Sequence, residues 1–305
     1  MIMAMMKKLN IICAGTSEGS ANYGCETAPE IILQSGLETM LNRADWELKV
    51  SHVPAVDEDG RYHDIPLHNA TTLIPWLREL YRQIGATTSY DERVLVLGGD
   101  HSIGASSLLA TKQRYPDAVC IYIDAHPDAH TTETTQTNNL HGLPLRIATG
   151  QTLTKEFVGP YYKPQEVFLV GIKDIDLAEA QWLKEHNIAH RTMDDNIEQG
   201  IGTIMREVIK WVGDRPVHIS FDIDSIDAMF APGTGIQNMG GFTYREAEYI
   251  ARKLSTLEPV AIDMVEVNPL RDLDGKTVLL AQELSMKLLG EEWSAYHNYL
   301  HSSVQ

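Results

Sequence analysis

Asp124, His126, Asp128 and His130 follow the apolar run Ile121, Tyr122, Ile123 at every second position. In an extended segment that alternation points all four to one side. Two carboxylates and two imidazoles converging there are costly unless something pairs with them. Three other apolar runs end in the same way. "VLVLGGDHS" ends in Asp100 and His101, "HISFDIDSID" in Asp222, Asp224 and Asp227, and "IDMVEVNP" carries Asp263 and Glu266. So many carboxylates at one edge repel, and one or more stays protonated unless a cation is bound. Two imidazoles with several carboxylates and no thiolate suit Mn²⁺ or a similar divalent ion. The number of carboxylates favours two ions, which at roughly 3.5–4 Å apart need bridging ligands. Asp124 and Asp222 are the natural bridges. Each motif also has a plainer use: Gly98 and Gly99 as a turn, "DID" as a helix cap, the Asp-x-His-x-Asp run as a salt-bridge cluster. Their combination in one chain points to a metal centre.

Eight short β-type runs supply those ends: "LNIICAG", "ELKVSHV", "RVLVLGG", "AVCIYID", "EVFLVGI", "HRTM", "VHISFDID" and "VAIDMVEV". Most are apolar on both faces, as in a covered parallel sheet. Helical patterns lie between them: "APEIILQSGLETMLNRA", "TTLIPWLRELYRQIG", "LAEAQWLKEHN", "IGTIMREVIKWVG", "TYREAEYIARKLSTL" and "KTVLLAQELSMKLLGEE". The alternation means an α/β fold. Pattern alone suits both a TIM barrel and an open sheet, and either collects ligands at the carboxyl ends of its strands. No repeat or linker divides residues 1–305, which read as one domain. The longest stretch without evident structure is 127–142, and a loop of that length is functional or disordered.

The chain carries 25 basic and 42 acidic residues among 305, a net charge of −17. That balance argues against nucleic acid and anionic membranes as partners, since both need basic patches. Cys13, Cys25 and Cys120 are too few for a disulfide framework or a Cys-rich zinc site and fit a reducing cytoplasm. The start, "MIMAMMKKLNIICAG", has too short an apolar stretch for a signal peptide and reads as a first strand. No segment approaches the ~20 apolar residues of a membrane span.

"GGDHS", "DAHPD", "HGLP", "SFDIDSID" and "EVNP", in that order, make the chain similar to the ureohydrolases: arginase, agmatinase, formimidoylglutamase and relatives. The resemblance runs from "EGSANYGCETAPEIILQSGL" to "EVNP". It implies a three-layer αβα fold around a parallel sheet of about eight strands. It implies two manganese ions per chain, one held by His101, Asp124, Asp128 and Asp222, the other by His126, Asp124, Asp222 and Asp224. A hydroxide between them would attack a guanidinium carbon, with Asp128 orienting it. His141 would be the proton shuttle and Glu266 the partner of the substrate guanidinium. A catalytically idle relative would have lost a ligand or His141, and neither is lost.

Among these subfamilies the chain is closest to arginase. "VGIKDIDLAEAQWL" keeps Asp174 and Asp176 of the arginase Arg-Asp-x-Asp segment, with Lys173 in place of the arginine. Asp176 falls where the substrate α-amino group is received; a helix N-cap is its plainer use. In the long loop His130 replaces the usual asparagine, Thr137 the serine and Asn138 the glycine, while Asn139 is retained. His130, Thr137 and Asn139 are thus the expected contacts of the amino-acid end. Ile236 and Gln237 replace other residues in the expected pocket wall. The implied reaction is hydrolysis of L-arginine to L-ornithine and urea. Formimidoylglutamase or another guanidino-acid hydrolase is the alternative, kept open by His130. The partners implied are a small guanidino substrate and further copies of the chain, as trimer or hexamer. The tail "SAYHNYLHSSVQ" reads as frayed or as part of such an assembly.

Overall fold

The computed structural model describes residues 7–291, so the tail lies outside the described residues. All eight anticipated strands are present: β1 (Lys7–Ala14), β2 (Trp46–His52), β3 (Arg93–Gly98), β4 (Val119–Ile123), β5 (Val167–Ile172), β6 (Ala189–Thr192), β7 (Val217–Asp222) and β8 (Ala261–Val265). They form one open parallel sheet in the order β2-β1-β3-β8-β7-β4-β5-β6. The sheet does not close, which settles the barrel alternative. Successive strand residues enter opposite layers, as the pleat requires. Leu95, Leu97, Val119, Ile121 and Ile123 pack on the face covered by helices 201–212, 244–255 and 276–288. Val94 and Val96 pack on the other face, under helices 70–87 and 104–114. Cys120 and Tyr122 face that second side too, toward helix 177–185. The result is three layers, αβα.

One anticipated helix departs from the sequence pattern. The stretch from Ala28 to Arg43 is broken, because Gly36 adopts φ 118° and separates helices Ala28–Ile32 and Glu38–Arg43. The helix Ala70–Thr87 continues through Pro75. Proline cannot donate to the carbonyl four residues earlier. That carbonyl, on Thr71, instead accepts from the Asp59 N–H at 2.8 Å, so no acceptor is left bare.

The sheet order explains the site. The four strands that carry acids and imidazoles at their ends, β3, β8, β7 and β4, are contiguous at the centre of the sheet. Ligands in open α/β sheets collect beyond the carboxyl ends of such strands.

Candidate metal and substrate site

β4 stops at Ile123, and the chain beyond it is not extended. Asp128 has φ 50° and Glu266, after β8, has φ 62°. Left-handed backbone at a non-glycine residue costs of order 1–3 kcal/mol and persists only where the surroundings enforce it. The Asp128 carbonyl is held by the Leu145 N–H at 3.2 Å, and the Glu266 N–H by the Gly99 carbonyl at 2.8 Å. Gly99 itself is needed for close approach: a Cβ there would lie 1.9 Å from the Thr16 carbonyl oxygen.

Strict alternation therefore fails as the reason for convergence. Asp124, His126 and Asp128 meet His101, Asp222 and Asp224, whereas His130 turns to a separate group. His101 Nδ1 lies 3.0 Å from Asp124 Oδ2, 3.0 Å from Asp128 Oδ2 and 3.1 Å from Asp222 Oδ2. His126 Nδ1 lies 3.1 Å from Asp224 Oδ2 and 3.5 Å from Asp124 Oδ1. Ligand atoms of His101, Asp124 and Asp222 lie within 4.8 Å of one another, as do those of Asp124, His126 and Asp224. Asp124 belongs to both sets.

The plainer helix-cap role and the ligand role coexist, because a carboxylate has two oxygens. Asp124 Oδ1 accepts from the His126 N–H at 2.7 Å, and Asp222 Oδ1 from the Asp224 N–H at 2.7 Å. In both residues Oδ1 fixes the local turn and Oδ2 faces the centre. The same division recurs at Asp176, whose Oδ1 caps helix 177–185 at the Glu179 N–H, 2.9 Å away.

The donor set fits divalent cations. One nitrogen carries at most one proton, so His101 Nδ1 cannot satisfy three carboxylates. Among the described residues, buried Asp224 Oδ1 has no hydrogen-bond partner, and Asp124 Oδ2 has only the shared His101 Nδ1 near it. The charged partners found for these acids among the described residues are imidazoles. Without a cation the cluster holds protons. Burial, reinforced by the charges of Asp128 and Asp224, pushes Asp124 up to about 6. Burial also drives Asp222 well above the carboxylate range, with Asp224 and Asp124 adding to it. Burial alone would lower His101, but its bonds to Asp124, Asp128 and Asp222 outweigh that and raise it. His126 is raised for the same reason, by Asp224 and Asp124.

These shifts share a sign. A folded site that binds more protons than the unfolded chain loses stability as pH rises. For Asp124 the loss runs from its ordinary 3.8 through about 6; the two imidazoles extend it upward. Metal replaces those protons. The gap in Tm between metal-loaded and metal-free chain is therefore expected to widen as pH rises through this window. Parallel melting series would show it, and a gap independent of pH would contradict it.

Around the centre lies a cavity of about 230 Å³, lined by His126, Asp128, His130, Thr137, His141, Glu179, Ile236 and Glu266 among others. Larger hollows exist, such as one of about 490 Å³ beside Glu18, Tyr23 and Trp76, but they lack this constellation. Glu266 Oε1 accepts from the His101 N–H at 2.9 Å and lies 3.1 Å from His141 Nδ1. Burial lowers the His141 pKa, but the Glu266 hydrogen bond and the charges of Glu266, Asp100 and Asp128 overcome this and lift it to about 9. Gly235 keeps Glu266 open, since a Cβ there would stand 3.1 Å from Oε2.

On the same cavity wall, His130 has Nε2 3.3 Å from Asp176 Oδ2 and 3.8 Å from Glu179 Oε1. Thr137 lines the same cavity, whereas Asn139 is buried and does not. Gln237, expected in the wall beside Ile236, donates to the Pro232 carbonyl at 2.7 Å instead, and only Ile236 lines the cavity. Lys173, which stands for the expected arginine, donates to Asn238 Oδ1 at 2.8 Å. Asp100 is a clamp: it accepts from the Gly19 and Ser102 N–H groups, and the Gly19 carbonyl holds the His141 N–H at 2.9 Å.

Two residues at the site were not anticipated. Tyr122 donates to Asp128 Oδ2 at 2.9 Å, and its ring stacks on His101 with centroids 4.6 Å apart. Within an apolar run it reads only as core. Glu179 is buried at the cavity wall, and burial pushes it up to about 7. Its signal was the capping-box spacing from Asp176.

Comparison with known proteins agrees with this geometry. The chain is 33% identical over 300 residues to an arginase of Staphylococcus aureus (strain COL), covering 95% of this chain and 99% of that one. It is 32% identical over 314 residues to an arginase of Coccidioides immitis (strain RS), covering 93% and 94%. The solved structure of an arginase from Bacillus caldovelox superposes with a TM-score of 0.88 at 30% identity, covering 95% of this chain and all of that one. The model of the arginase family matches residues 7–290. By the family model, by its relatives and by the fold, the chain belongs to the arginase family.

Proposed function

We propose that the chain is an arginase, hydrolysing L-arginine to L-ornithine and urea with two Mn²⁺ per chain. The observation that carries this reading is that the imidazole-carboxylate cluster shares a cavity with Glu266, His141, His130 and Glu179, the last two in contact with Asp176. One ion would be held by His101, Asp124, Asp128 and Asp222, the other by His126, Asp124, Asp222 and Asp224. When bound, such a pair acidifies water toward neutrality and so supplies the nucleophile.

The protein groups divide the remaining work. Glu266 receives the guanidinium through charge-assisted hydrogen bonds. Asp128 accepts a hydrogen bond from the attacking water and fixes its direction. His141, protonated by its pairing with Glu266, gives a proton to the leaving amine. Asp176 Oδ2 takes the α-amino group, and His130 with Thr137 takes the α-carboxylate. We place the reaction in the cytoplasm, in a homo-oligomer of three or six chains; the scattered cysteines fit that compartment.

An ionic hydrogen bond is worth roughly 1.5–3 kcal/mol, so Asp176→Ala should lower kcat/KM for L-arginine by about 10–200-fold. Loss of the helix cap costs about 1 kcal/mol of stability besides, so melting is measured alongside. Agmatine lacks the α-carboxylate and should turn over poorly in both proteins. Arginine turnover unchanged in the variant would remove Asp176 from the substrate site. The contact of His130 with Asp176 favours one second reading, a guanidino or formimino acid whose second carboxylate is met by His130. That reading predicts that His130→Asn abolishes activity, whereas an arginase should tolerate it.

A further inference from the structure

Asp263 is fully buried on β8, and its hydrogen-bond partners among the described residues are not the proposed metal ligands. Its Oδ2 receives three donors: Ser107 Oγ at 2.6 Å, His218 Nε2 at 2.9 Å and Ser220 Oγ at 3.3 Å. Its Oδ1 has no hydrogen-bond partner among the described residues. The arrangement follows from register. Ser220 on β7 lies opposite Asp263, and His218 precedes Ser220 by two on the same strand, hence on the same face. Ser107 and Thr111 are one turn apart on the helix above, and Thr111 Oγ1 lies 2.8 Å from His218 Nδ1. Histidine, aspartate and both serines are essentially inaccessible to water.

The protons in this network can be counted. A carboxylate only accepts. The single Ser220 hydroxyl proton goes to Asp263, so the Ser220 oxygen can only accept from elsewhere. The group facing it is His101 Nε2, at 2.9 Å, which must therefore donate. Nδ1, directed at Asp124, Asp128 and Asp222, is then the ring nitrogen whose proton a cation would displace.

We propose that Asp263, held by His218, Ser107 and Thr111, is a positioning residue that acts through Ser220 to fix His101 with its proton on Nε2 and Nδ1 free for metal. It rests on the metal-centre reading above. A neutral side chain at 263 releases the Ser220 proton to His101 Nε2, which places a proton on Nδ1 where the cation should be. Groups that orient a ligating histidine typically contribute 10–100-fold in metal affinity.

The test is a double-mutant cycle on Mn²⁺ affinity, by chelator competition with the full-length chain. Asp263→Asn should weaken Mn²⁺ binding by about 10–100-fold. Ser220→Ala should do the same, and the double variant should be no worse than either alone. A purely structural role would make the two effects add, and that outcome overturns the proposal. Nitrogen-15 NMR of His101 in the unloaded wild-type chain, taken at a pH high enough for the ring to have lost one proton, gives a readout that needs no variant to fold. The remaining proton should sit on Nε2; finding it on Nδ1 overturns the proposal whatever the variants do. If the wild-type chain binds no Mn²⁺ while Nε2 is protonated, the metal-centre reading fails instead, and the inference falls with it.

Discussion

Asp128→Asn is expected to weaken binding of one metal ion and to lower kcat/KM for L-arginine by about 100-fold or more, with the fold intact. Asparagine tolerates the left-handed backbone that Asp128 adopts at φ 50°, so the change isolates charge from strain. Asp128 Oδ2 accepts from Tyr122 at 2.9 Å and lies 3.0 Å from His101 Nδ1. Burial would raise the Asp128 pKa, yet the hydrogen bond and charge of His101 bring it below the ordinary carboxylate value. It therefore serves as an anion, and an amide supplies neither that charge nor two acceptors. Replacing a group behind a ligand already costs 10–100-fold, and a ligand should cost more. Metal content and kinetics measured together decide the matter; normal stoichiometry with normal turnover would exclude Asp128 from the centre.

His141→Asn should lower kcat by about 10²–10⁴, the usual worth of general acid–base catalysis, with metal content unchanged. His141 belongs to neither set of clustered ligand atoms, so its loss leaves the metal ligands in place. Its pKa, lifted to about 9 in the metal-free site, makes it an acid at neutral pH; bound cations lower that value. The proton donor is spent as pH rises, so wild-type kcat should show a basic limb that the variant lacks. Added imidazole should restore part of the rate. Unchanged kcat at full metal occupancy would leave His141 without a chemical role.

The strands and their chemistry were legible because both are local. Apolar runs such as "VLVLGG" and "VHISFD" announce themselves, and so do the acids at their ends. The order of the strands was not legible, since parallel pairing joins distant segments. Only the fold shows that β3, β8, β7 and β4 are neighbours. Helix 104–114 escaped notice because it is buried on nearly every side and has no polar face to create a period. Strict alternation turns His130 to the same side as Asp124, His126 and Asp128, and the turn at Asp128 breaks that alternation. Tyr122 and Ser220 sit inside strands, where sequence distinguishes core from site only through partners on other elements.

The most direct measurement is product formation by the manganese-loaded, full-length chain offered L-arginine, agmatine and formiminoglutamate side by side, before and after chelation. The expected result is ornithine and urea from L-arginine in preference to both others, lost on chelation and restored by Mn²⁺. Preference for formiminoglutamate, or arginine turnover that survives complete removal of metal, would contradict the assignment.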